Sequence, residues 1–167
     1  MKISKLIKNL NLDYCNPDIT DKNFPDQPRK DLGPVELMKI DKEMTTKEIL
    51  DQMKQEGYEP ANSAELLEWA RDWKGKDDVM ALGSQWCDAD GYLRALNLWG
   101  YGGRRGLNLC YCILGSGWVR GCVFARRKVS PALGTLDSLP SLELRILELE
   151  KFKEKVETIF NKDFWKD

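Results

Sequence analysis

The sequence predicts an α+β domain: two helices packed on a small antiparallel sheet, with a long C-terminal helix. Three observations predict it. Two helix starts with capping-box spacing fall between residues 45 and 65. Beyond residue 79 the apolar period shortens to alternation and glycine-rich turns interrupt it. From residue 141 to 160 a helical period returns. A chain of 167 residues suits one domain with a sizeable core.

Residues 1–12 place Ile3, Leu6, Ile7 and Leu10 on one helical face. Residues 13–34 hold four of the seven prolines and read as an irregular arm, so that 1–34 precede the domain proper. Val35 to Ile40 alternates as a strand. Thr45 caps a helix and Glu48 answers it, with Ile49, Leu50 and Met53 inward and Gly57 as the stop. Asn62 and Glu65 repeat the device, with Leu66, Leu67, Ala70 and Trp73 inward and Gly75 at the end.

Four strands follow, at Val79–Trp86, Tyr92–Trp99, Leu107–Leu114 and Trp118–Arg127. The turns between them are Asp88–Gly91, the glycine-rich Gly100–Gly106 and Gly115–Gly117. Connections this short make antiparallel neighbours. In the third strand Leu107, Leu109, Tyr111 and Ile113 share one face, and Asn108, Cys110, Cys112 and Leu114 the other. The domain is thus bounded at about 35–130, with a connector and helix over 131–167. In that helix Leu142, Leu149 and Val156 recur every seven residues, as do Ile146, Lys153 and Phe160. They form either a homo-oligomer seam or a face that docks on the chain's own domain.

Net charge is −1, but Gly91 to Lys128 carries six Arg, one Lys and no acid. No apolar run approaches the roughly 20 residues of a membrane span. The basic start lacks the apolar core and cleavage site of a secretory signal. A cytoplasmic location and a place on a virion surface both fit. With no histidine, Ser-His-Asp and Cys-His catalysis and histidine-based zinc hydrolysis are excluded. Five cysteines, an odd number, argue against a full disulfide framework, and Cys110 with Cys112 lacks the further ligands of a zinc site. Neither a metal nor a cofactor is expected.

The Gly100–Gly106 loop matches neither a phosphate-binding nor a dinucleotide fingerprint and reads as a hairpin loop. Asp77-Asp78 and Asp88/Asp90 sit at strand ends, where Asp serves the backbone. Tyr92, Arg94, Trp99, Tyr101, Arg104, Arg105, Tyr111, Trp118 and Arg120 mix ring and cation as single-strand nucleic-acid platforms do. A sheet with rings inward and solvated arginines gives the same pattern.

The segments Gly57–Leu67, Val79–Ser84, Gly117-Trp118 and Val123–Lys128 together resemble the C-type lectin fold of formylglycine-generating-enzyme-like domains. More narrowly, they resemble the variable proteins of diversity-generating retroelements, over roughly residues 45–128. The resemblance implies a non-enzymatic display protein, phage- or virus-associated in some settings, whose surface is rewritten by error-prone copying at adenines. Asn codons mutated at their adenines cannot give Lys, Glu, Gln, Met or Trp. The first four account for 38 of the 167 residues, so about seven or eight are expected in Leu93–Ala125, and none is found. Trp99 and Trp118 are then scaffold. Hydrophobic sheets also avoid Lys, Glu and Gln, but this stretch adds glycines, three cysteines and four arginines.

The expected variable surface comprises Asn97, Tyr101, Gly102, Gly103, Arg104, Arg105, the outward face Asn108, Cys110 and Cys112, and the turn residues Ser116, Val119, Arg120 and Gly121. Its ligand is expected to be a protein or cell-surface molecule, received by adaptable side chains on a rigid base. The alternative is a nucleic-acid-binding accessory protein using the same basic aromatic stretch. An oxidase of the formylglycine-generating type would require Cys110 and Cys112.

Overall fold

Nine strands and three helices make up the described part of the chain, residues 2–30 and 32–129 of a computed structural model. In chain order these are α1 (Ile3–Lys8), β1 (Tyr14–Cys15), β2 (Leu32–Lys39), β3 (Met44–Thr45) and α2 (Thr46–Gln55). Then come β4 (Tyr58–Pro60), α3 (Ser63–Trp69), β5 (Val79–Cys87), β6 (Leu93–Tyr101), β7 (Arg104–Tyr111), β8 (Gly117–Trp118) and β9 (Val123–Val129). Met1–Val129 make one compact unit. The expected C-terminal helix and its heptads lie outside the described residues.

Both capping boxes form. The Thr45 hydroxyl accepts from the Glu48 N–H while Glu48 accepts from the Thr45 N–H. Asn62 and Glu65 do the same at α3. These bonds satisfy donors that a helix start leaves orphaned, typically worth about 1 kcal/mol each. Helix α2 has further help. The N–H groups of Thr46 and Lys47 donate to the carbonyls of Ser116 and Leu114, so the turn after β7 closes the helix start.

The expected two helices on a small antiparallel, C-type-lectin-like sheet are overturned. Strands take 39% of the described residues and helices 18%, and seven strands form one mixed sheet. Its order is β1-β7-β6-β5-β9-β2, with β4 also on β9. Two neighbour pairs, β1/β7 and β5/β9, are parallel. Helices cover both faces, and β5 shows why. Val79 and Ala81 enter the core under α1 and α3, and Met80 and Leu82 enter the core under α2. A central strand buried on both faces reads as a continuous apolar run, which is what Val79–Leu82 is.

Two local expectations also change. Trp118–Arg127 is not one strand: Gly121, at φ 95°, breaks it, leaving β8 paired with β3 in a separate two-stranded sheet. Helix α3 ends at Trp69 rather than at Gly75, although Trp73 is still buried.

Candidate functional site

The β6–β7 hairpin supplies most of the expected surface. Its register pairs Asn97 with Asn108, Ala95 with Cys110, Trp99 with Gly106 and Tyr101 with Arg104. Opposed residues of an antiparallel pair point to one face, so all eight lie on the α2 side of the sheet. Helix α2 and the β3–β8 pair cover one end, over Ala95 and Cys110. Toward the hairpin tip this face loses its cover: Trp99 is half-buried and Tyr101 is 86% exposed.

Trp99 lies against its cross-strand glycine. A Cβ on Gly106 would sit 2.3 Å from the indole, so only glycine admits the ring there. Gly100 is bound as tightly, since its Cβ would meet the Gly75 carbonyl oxygen at 2.1 Å. The hairpin is therefore held against the chain after α3 by backbone contact.

On this face opens a groove of about 410 Å³. Asn97, Cys110 and Met80 come from the sheet, Val119, Arg120 and Gly121 from the loop before β9, and Asp77 and Asp78 from the approach to β5. Trp118 and Cys122 complete it. The loop is pinned by Ile40, whose N–H donates to the Cys122 carbonyl and whose carbonyl accepts from the Gly121 N–H. Trp118 packs edge-on to Phe124 at 5.1 Å and its indole N–H donates to the Thr46 hydroxyl at 2.8 Å. Trp118 is half-buried and packs against the core under α2. Asn97 Oδ1 is buried and accepts no hydrogen bond from a described residue.

Of the expected residues, Asn97, Cys110, Val119, Arg120 and Gly121 meet in this groove. Asn108 is the cross-strand neighbour of Asn97, and its side-chain oxygen accepts from Asn16 Nδ2 at 3.0 Å. Tyr101, Gly102, Gly103 and Arg104 form the exposed tip of the hairpin. Ser116 is half-buried, with its carbonyl on α2.

Two expected residues belong elsewhere. Cys112 is fully buried in the core under α2 and is not outward. Cys112 keeps to the α2 side with Cys110, and α2 and its neighbours cover that side there, so the face expected to be outward is inward at this end. Arg105 faces the other side of the sheet from Arg104. Its guanidinium donates to the carbonyls of Trp73 and Leu10, and its N–H to Asp13, tying three segments together.

The basic aromatic stretch does not form one platform. Arg94 lies 3.7 Å over the Tyr111 ring and pairs with Asp88 at 2.7 Å, on the face opposite Trp99. Asp88 is held below the usual carboxylate range by the Arg94 hydrogen bond, then by the Tyr92 N–H. Arg104 and Arg120 are the exposed arginines of the hairpin and loop. The thiols do not look reactive. Burial pushes Cys110 up to about 12 and Cys112 up to about 11, so both stay protonated at neutral pH and are poor nucleophiles.

The strongest electrostatic feature was missed by sequence reasoning and lies outside 93–125. Glu65 is buried between Arg29 and Arg127, with N–O distances of 2.9 and 2.7 Å. Burial opposes its ionisation. Hydrogen bonds from the Arg29 side chain, the Asn62 and Arg29 N–H groups and Arg127 outweigh burial and hold it at about 2. Arg127 also donates to the carbonyls of Arg29, Leu32 and Gly33, locking the entry to β2. A concavity of about 740 Å³ lies beside this cluster. Glu65 spends its acceptors inside the protein, which marks the cluster as scaffold. The only sequence signal was the capping position of Glu65, which says nothing of arginines 36 residues before it and 62 after it.

No protein-family model matches the chain, and neither a curated protein nor a solved structure matches it. Among the described residues no helix is long and apolar enough to cross a membrane, and no cluster of three or more His, Cys, Asp or Glu could hold a metal.

Proposed function

We propose that this chain is a non-enzymatic binding protein that offers the groove and the β6–β7 hairpin face to a protein or cell-surface ligand. Segment 93–125 is the part that retroelement copying varies, here on a mixed sheet rather than a lectin scaffold. One observation carries the reading. Side chains from β6, β7 and the loop before β9, all within the stretch that lacks Lys, Glu, Gln and Met, meet on one groove. Several ties that hold the unit together have an end outside that stretch: both capping boxes, the Arg29–Glu65–Arg127 cluster and the core helices. A surface can vary at constant fold only if its stability is anchored elsewhere.

Nucleic-acid binding finds less support. Arg94 and Arg105 are occupied by Asp88 and by backbone carbonyls, so the face offers few guanidinium groups for phosphates.

Sequencing of this gene and its flanking DNA across the source population tests the proposal. Codons for Asn97, Tyr101, Arg104, Val119 and Arg120 should vary, while those for Trp99, Trp118, Glu65 and Arg127 stay fixed. A nearby repeat should carry AAY codons at the varying places, beside a reverse transcriptase. An invariant 93–125 without such a repeat refutes diversification.

A further inference from the structure

The two edges of the large sheet are unlike. Strand β1 covers β7 at Gly106 and Leu107, whereas β2 has no neighbour beyond β9 among the described residues. From Val35 to Lys39 the β2–β9 register runs without a shift. Ile40 directs its N–H and carbonyl at Cys122 and Gly121, so Met38 and Glu36 likewise point theirs at β9. The N–H and carbonyl groups of Val35, Leu37 and Lys39 therefore point outward, and no described residue bonds them. Natural sheets blunt an open edge with proline, charge or a covering segment. Here Pro34 and Lys39 stand only at the ends of the open row, and its middle residue, Leu37, is a large apolar side chain 39% exposed. Both faces of the strand border a core: Val35 packs against the one under α1 and α3, and Met38 lies in the one under α2.

Outward N–H and carbonyl groups in this spacing are matched by another extended backbone. Strand β2 is itself such a backbone, and its sequence is self-complementary about Leu37. In an antiparallel pair with that residue on the two-fold axis, Leu37 opposes Leu37 of the second copy, Val35 opposes Lys39 and Glu36 opposes Met38. No like charges stand directly opposite, and the Glu36 carboxylate already accepts from the Tyr58 hydroxyl at 2.9 Å. Moving the axis to Glu36 would set two carboxylates face to face. Moving it to Met38 would set Val35 against Asp41, beyond the strand end. We propose that β2 is a homodimer interface, pairing antiparallel with β2 of a second copy about Leu37. The outward residues of the two copies exchange backbone bonds, the exposed leucines meet, and the sheet runs on through both chains. Pairing of this isologous kind closes after two copies. The strand order then sets the two β6–β7 hairpins toward the outer edges of the joined sheet, so one dimer presents two binding faces. Strand β2 lies outside 93–125, so variation there leaves the interface residues unchanged.

Sedimentation equilibrium of the full chain, joined to amide hydrogen exchange, tests this. Wild type should reach twice the chain mass by about 0.5 mM, and the Leu37 and Lys39 amides should exchange at least about tenfold slower there than in dilute protein. Leu37→Lys sets two cations face to face at the axis and should weaken association about tenfold. Leu37→Pro removes the central N–H from both copies and should abolish association. That N–H bonds no other described residue, and a proline whose N–H side faces out is tolerated on an edge strand. Both variants should keep the Tm of dilute wild type within about 2 °C. A wild type that stays at one chain mass up to about 0.5 mM overturns the proposal. So does a dimer that both Leu37 variants leave intact, or one whose Leu37 amide exchanges freely. The exchange comparison on wild type needs no variant to fold, and none of these outcomes depends on whether 93–125 varies.

Discussion

Glu65→Gln keeps the shape of the side chain and removes its charge. The carboxylate accepts from Arg29 N, Nε and Nη2, from Asn62 N and from Arg127 Nη1. Glutamine turns one of the two oxygens into a donor facing donors and leaves two guanidinium groups without their shared counter-charge. Breaking a buried pair from one side costs about 3–5 kcal/mol. Linkage gives a similar figure: a carboxyl held at about 2 instead of 4.5 contributes about 3 kcal/mol when ionised. Against a typical total of about 5–15 kcal/mol the variant is marginal.

Urea unfolding at neutral pH, with the m-value checked for constancy, reads the cost directly. The pH dependence follows from the sign of the shift. The folded pKa lies below the unfolded one, so the stabilisation is fully present above about pH 4.5 and is lost as pH falls toward about 2. Wild type should therefore lose more stability than Glu65→Gln across that window. A cost below about 1 kcal/mol, or parallel pH profiles for the two proteins, would show that the cluster does not anchor the scaffold.

Gly100→Ala should cost about 2–3 kcal/mol in urea unfolding, because its Cβ meets rigid backbone at Gly75; a neutral result would mean that the hairpin is not held there. Gly106→Ala should displace the Trp99 ring, which near-ultraviolet circular dichroism and tryptophan fluorescence would register. In thiol labelling of the native protein followed by mass spectrometry, exposed Cys87 should react first and Cys112 only on unfolding. Tyr101→Ser and Arg104→Ala, at the exposed hairpin tip, should change stability by no more than about 0.5 kcal/mol; a larger loss would place them in the scaffold.

What the sequence by itself determined is local. Thr45 with Glu48 and Asn62 with Glu65 specify two helix starts, because both partners of each capping box lie within one turn. Alternation over β7 correctly set Asn108 and Cys110 against Leu107 and Leu109, because neighbouring side chains on a strand must point to opposite faces. The compositional gap over 93–125 was also legible, being a property of residue types alone. The short turns also named β5 with β6 and β6 with β7 as antiparallel neighbours, but the last strand lies beside β5 and β2 rather than beside β7. The parallel pairing of β9 with β5 and of β1 with β7 joins segments with long stretches of chain between them, and alternation names a face without naming a partner. Only tertiary structure turned Arg105 inward, buried Cys112 and set Glu65 between two arginines, because each depends on backbone or charge brought from far along the chain. The groove followed the same rule. Its walls come from β5, β6, β7 and the loop before β9, and their meeting is fixed by packing α2 and α3 on opposite faces of one sheet.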